Sequence, residues 1–128
     1  MFALYLRFFK FRKFYYSNPI NYKEMKNLTQ EQWKAAKEKD ENVVILDVRT
    51  EGEFLVGFIP DAINIDIYKG QEFLDEIEKL DKSKNYLVYC RSGARSASAC
   101  SLMHQRGIEN AYNLMGGIIE WNGEIQTP

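Results

Sequence analysis

Val43-Val44-Ile45-Leu46 is the segment that most restricts the fold. Four apolar residues stand in a row, three of them β-branched, between Asn42 and Asp47. The run lacks the alternation of a one-sided strand and the length of a helix. It reads as a strand buried on both faces, and such strands belong to parallel sheets whose crossovers are helices. Ile63–Ile65, Tyr86–Tyr89 and Ala111–Leu114 read as further short strands. Helical patterns separate them. Thr29, with Gln32 at the capping-box position, opens a helix that turns Trp33 and Ala36 inward. Glu51–Val56 gives one or two turns before Gly57. Phe73, Ile77 and Leu80 recur at helical spacing across 70–80, with Glu72, Asp75, Glu76 and Glu78 on a solvated face. Ser96–Arg106 runs to a C-cap at Gly107. Gly116-Gly117 starts a last loop and a short helix through Trp121. The alternation predicts an α/β layered domain, and four strands are visible.

At 128 residues the chain suits one domain with a real core. Its charge is uneven. Residues 1–16 carry Arg7, Lys10, Arg12 and Lys13 and no acid, which leaves 13 basic against 18 acidic residues in the rest. Three readings of this opening compete. Arg7 and the basic residues after it interrupt any apolar stretch long enough for a signal peptide or a span. A basic aromatic segment lying on an anionic membrane surface is physically reasonable. The favoured reading takes 1–24 as an extension that is disordered or not native, with Met25 opening the domain 25–128. The net charge of −1 carries no nucleic-acid signature. Two cysteines and one histidine make neither a disulfide framework nor a metal cluster, so no metal or cofactor is expected, and a reducing cytoplasmic setting is.

The chemistry concentrates in Cys90-Arg91-Ser92-Gly93-Ala94-Arg95-Ser96, which follows a strand and leads into a helix. Ligands of open α/β sheets bind beyond the carboxyl ends of strands. A short loop with a glycine can curl its N–H groups around an anion, and a helix start adds its own. Arg91 and Arg95 add two positive charges. A thiol in that field is expected to ionise near neutrality and act as a nucleophile. His104 lies nine residues beyond Arg95, roughly 13 Å along an ideal helix, so no Cys–His dyad is expected. The bland alternative is a buried core cysteine beside surface arginines.

The loop CRSGARS resembles the active-site loop of rhodanese-like sulfurtransferases. Two further stretches extend the likeness: Ile45–Thr50 with Glu53-Phe54 and Gly57–Ile65, and Leu114–Ile118 with Trp121. The resemblance covers about residues 27–123 and implies a three-layer fold, a parallel sheet of about five strands with helices on both faces. The fifth strand would lie just before the first helix or be very short. It implies that Cys90 takes sulfur from thiosulfate or a similar donor as a persulfide and gives it to cyanide or a thiol, that of a protein included. Arg91 would draw in the anionic donor. Arg95 would close the loop, facing the site or tying the loop down. Ser92, Gly93, Ala94 and Ser96 would lend N–H groups, with Ser96 also capping the helix. Phe58 stands where the family often has histidine and Asp61 where it usually has glycine, both read as structural variation.

Four residues separate Cys90 from Arg95. Relatives that act on phosphate or arsenate have one more, so the smaller cradle favours sulfur over a phosphatase or arsenate reductase. A persulfide carrier served by a protein partner is the other alternative. Asp47 and Arg49 are expected to support the strand end as an ion pair, and Cys100 to pack in the core.

Overall fold

The computed structural model describes residues 26–128, and the proposed extension 1–24 lies outside them. Five strands form one sheet: β1 (Asn27–Leu28), β2 (Val43–Asp47), β3 (Ile63–Asn64), β4 (Asn85–Tyr89) and β5 (Ala111–Leu114). Their order is β1-β5-β4-β2-β3 and every pairing is parallel. The helices are α1 (Gln30–Lys39), α2 (Glu51–Val56), α3 (Gln71–Glu78) and α4 (Ala94–Gln105), with 3-10 turns at Ile67–Lys69 and Ile118–Glu120. The fifth strand, β1, sits just before the first helix and is two residues long, too short to show any periodicity. Among the described residues, no helix is long and apolar enough to cross a membrane.

The central strands are buried on both faces, which makes three layers. Along β4, Tyr86 and Val88 face one core while Leu87 and Tyr89 face the other. The first core takes Phe73 and Ile77 from α3, and Ala99, Cys100 and Met103 from α4. The second takes Trp33 and Ala36 from α1. Each large apolar side chain buried this way contributes about 1.5–3 kcal/mol. Cys90 continues the alternation of β4 and falls on the α3/α4 side, fully buried.

Register brings the chemistry to one end. Asp47 pairs with Tyr89 across β2 and β4, so the ends of both strands, and Cys90 after them, share the carboxyl edge of the sheet. Two capping boxes start helices there or nearby, Thr29 with Gln32 for α1 and Thr50 with Glu53 for α2. Each satisfies two N–H groups that a helix start would otherwise leave unpaired.

Candidate active site

The chain leaves β4 at Cys90 and turns into α4 at Gly93, whose φ of +109° is left-handed. That conformation is open to glycine and strained for other residues. The helix therefore begins two residues before the expected Ser96, with Gly93 in the cap position. Ser96 lies inside the first turn, fully buried, and does not cap the helix. Its hydroxyl points inward instead.

Three donors converge on the Cys90 sulfur. The Gly93 N–H lies 3.1 Å from Sγ, the Ser96 N–H 3.4 Å and the Ser96 hydroxyl 3.3 Å. Burial is the largest single influence on this thiol and raises its pKa. The Ser96 hydroxyl and the N–H groups of Ser96, Gly93 and Ser92 together outweigh burial and bring it below the ordinary thiol value. Hydrogen bonds to the charged form favour that form.

The N–H groups face inward because the carbonyls are held outward. The Cys90 carbonyl accepts from Ile118 N–H at 2.9 Å, and the Arg91 carbonyl from Ile119 N–H at 3.0 Å. The turn at 117–119 thus grips the outer side of the loop. Gly117 lets it come close: a β-carbon there would sit 2.6 Å from the Ser92 nitrogen and inside contact distance of the Arg91 carbonyl. Backbone, not a yielding side chain, occupies that space, and φ at Gly117 is +64°. Gly117→Ala is expected to push the loop off the turn and return the Cys90 pKa toward the free-thiol value. A pH profile of iodoacetamide alkylation checks this; an unchanged profile would mean that the loop holds its shape unaided.

Arg95 does not present a free cation. It forms a bidentate pair with Glu53 at 2.8 and 3.0 Å, and its guanidinium lies 5.3 Å from the centre of the Tyr68 ring. The pair ties α4 to α2 beside the loop. Glu53 also completes the α2 capping box, accepting from the Thr50 N–H at 3.1 Å. The hydrogen bond from Arg95 is the main reason its carboxyl pKa falls from 4.5 to about 2. Because the folded pKa lies below the unfolded one, this pair stabilises the fold above about pH 4.5, and the contribution is lost as pH falls toward 2. Glu53→Gln is expected to flatten that stretch of a stability-against-pH curve, measured by urea unfolding. Arg91, by contrast, is exposed. Ala94 opens α4.

Asp47 and Arg49 are buried together. Arg49 donates to Asp47 through Nε at 2.9 and 3.0 Å and through a terminal nitrogen at 2.6 Å, and the Arg49 N–H adds 2.9 Å. The same terminal nitrogen reaches the Gly57 carbonyl at 2.7 Å. The pair braces the end of β2 against the end of α2, and through α2 it supports Glu53. Cys100 is packed in the α3/α4 core, where burial pushes its thiol up to about 12.

Glu53 and Asn113 are the site residues that the loop motif does not name. Glu53 has a local signal, its capping-box spacing from Thr50. Asn113 is a polar residue inside a strand otherwise buried as apolar sequence, and it is 5% exposed.

Comparison with known proteins gives the family. The family model described as the rhodanese-like domain matches residues 29–124. The putative sulfurtransferase YtwF of Bacillus subtilis is 35% identical over 103 residues, covering 80% of this chain and 96% of that protein. Thiosulfate sulfurtransferase GlpE of Coxiella burnetii is 34% identical over 106 residues, covering 83% and 92%. The crystal structure of a rhodanese-like domain protein from Staphylococcus aureus matches with a TM-score of 0.70 at 30% identity, covering 81% of this chain and 99% of that one.

Proposed function

The chain belongs to the rhodanese-like domain family, whose members include a putative sulfurtransferase and a thiosulfate sulfurtransferase as well as tRNA uridine(34) hydroxylases, and from the first two we propose that Cys90 moves sulfane sulfur from thiosulfate or a similar donor to cyanide or a thiol. The observation that carries this reading is the Cys90 sulfur with three donors aimed at it and a lowered pKa. It is a prepared anion site around a nucleophile that needs no neighbouring base.

The chemistry runs in two displacements. The Cys90 thiolate attacks the outer sulfur of thiosulfate. A bond forms from Sγ to that sulfur, the bond to the sulfonate sulfur breaks, and sulfite leaves with its electron pair. The terminal sulfur of the persulfide carries the negative charge, and the loop N–H groups are placed to stabilise it. Cyanide carbon, or an acceptor thiolate, then attacks the terminal sulfur. The S–S bond breaks, thiocyanate or a new persulfide leaves, and Cys90 returns to thiolate. Arg91, exposed and charged, draws the anionic donor to the loop. Ser92, Gly93, Ala94 and Ser96 form the wall around the transferred atom. Arg95 holds that wall through Glu53, and the Asp47–Arg49 pair supports it at one remove, by bracing the end of β2 against the end of α2. A protein thiol in a reducing cytoplasm is a fitting acceptor.

Mass spectrometry after thiosulfate treatment tests the first half. The Cys90 peptide is expected to gain about 32 Da, one sulfur held as a persulfide, and cyanide is expected to remove it with release of thiocyanate. A Cys90 that stays unmodified while thiocyanate forms would sink the mechanism. Phosphate-ester hydrolysis without any mass gain would support the oxyanion chemistry that the four-residue gap to Arg95 disfavours.

A further inference from the structure

Ser96 has one hydroxyl proton and two acceptors. Its oxygen lies 3.3 Å from Cys90 Sγ and also makes a short hydrogen bond to Asn113 Oδ1. The orientation of the Asn113 amide is fixed from its other side. Its Nδ2 donates to Asn27 Oδ1 at 2.9 Å and to the Gly93 carbonyl at 3.2 Å. Oδ1 therefore has to face Ser96. All three groups are buried, with Cys90 and Ser96 at 0% exposure and Asn113 at 5%, so a proton withdrawn from one acceptor is not readily replaced by water.

We propose that Asn113 is a positioning residue that holds the Ser96 hydroxyl proton while Cys90 is a neutral thiol and yields it to the sulfur when Cys90 is a thiolate. In the thiol state the S–H donates to Ser96 Oγ and the hydroxyl donates to Asn113. In the thiolate state the hydroxyl turns to Sγ, and Asn113 Oδ1 is left without its partner. A buried acceptor that loses its donor costs free energy, so Asn113 competes with the sulfur for one proton. No bond between heavy atoms changes, and the thiol proton leaves to solvent. Once sulfur is loaded the charge sits on the terminal atom, Sγ is neutral, and the hydroxyl returns to Asn113. The pair thereby responds to the state of the nucleophile.

The other ionisable groups around the sulfur stay as they are. Arg95 on α4 is paired with Glu53 of α2. Cys100 on α4 remains a neutral thiol. Arg91 in the loop is exposed.

The inference rests on Cys90 being the sulfur-bearing nucleophile, but its test uses no sulfur donor and so fails or succeeds apart from that reading. The rate of Cys90 alkylation by iodoacetamide, followed against pH with the modified site identified by mass, gives the thiol pKa. Removing the competing acceptor by Asn113→Ala is expected to lower it by about half a unit, seen as about a threefold faster alkylation well below the pKa. In a Ser96→Ala background the same change is expected to lower nothing. A rise on Asn113→Ala, no change, or an equal fall without Ser96 each overturns the proposal. A second measurement needs no Asn113 variant. In the wild-type protein the side-chain carbonyl carbon of Asn113 is expected to shift in NMR spectra with the Cys90 titration, and in Ser96→Ala to stay still. A wild-type resonance that ignores the titration overturns the proposal equally.

Discussion

Cys90→Ser is expected to abolish thiocyanate formation from thiosulfate and cyanide, a loss on the order of 10³-fold or more, as for other covalent nucleophiles. The cradle brings a thiol below its ordinary pKa of about 9. A serine hydroxyl starts far higher, and among the described residues no base stands by to deprotonate it. His104, the lone histidine, is on the distal part of α4 with Nε2 3.1 Å from the Ala111 carbonyl. Oxygen also cannot form the persulfide that carries the transferred atom. The serine should still accept the Gly93 and Ser96 N–H groups, so unfolding in urea is expected to change by only about 1 kcal/mol, the span of one neutral hydrogen bond. Steady-state thiocyanate release and a urea midpoint on the same preparation separate lost chemistry from lost structure. Turnover by the serine variant at the wild-type rate would overturn the role of Cys90.

Asp47→Ala is expected to cost about 3–5 kcal/mol, the range for breaking a buried ion pair from one side. The Asp47 side chain is fully buried and that of Arg49 is 7% exposed. Without the carboxylate, a guanidinium stays under Tyr89, whose ring centre is 5.5 Å away, with only the Gly57 carbonyl left to it. Asp47→Asn keeps the volume and one of the two acceptor oxygens but loses the charge, and is expected to cost less. Urea unfolding measures both. Because Arg49 braces α2, and α2 carries Glu53, the alanine variant is also expected to loosen Arg95. A loss of the Glu53–Arg95 coupling in a double-mutant cycle would register that.

Much of this site can be read from the chain because its parts are local. A strand that runs into Cys90, a glycine that permits a left-handed turn and a helix start are neighbours in sequence, and their geometry follows from residue type. The α1 start was legible for the same reason, through Thr29 with Gln32, and α2 was expected over Glu51–Val56, the span it occupies. What was not legible depends on contacts between distant segments. β1 is defined by pairing with β5, not by a pattern of its own. Whether Arg95 faces the site or ties the loop down was open in the sequence, because its partner Glu53 comes from α2, 42 positions away. Ser96 as a cap failed because the left-handed Gly93 starts the helix earlier. Asn113 is only a polar residue in a strand pattern, and its partners come from two other segments, Asn27 from β1 and Gly93 with Ser96 from the start of α4.

The last of these contacts has a kinetic consequence. Asn27 and Asn113 are 86 positions apart, and β1 joins the sheet only through β5. Contacts of such separation form late, after the entropy of closing a long loop has been met. During synthesis, which delivers the chain from its N-terminus, Cys90 emerges before β5 and before the turn that grips the Cys90 and Arg91 carbonyls. Until those segments dock, Cys90 is an ordinary cysteine on an unshaped loop. The reactive thiol is therefore withheld from the nascent chain and appears only with the finished fold.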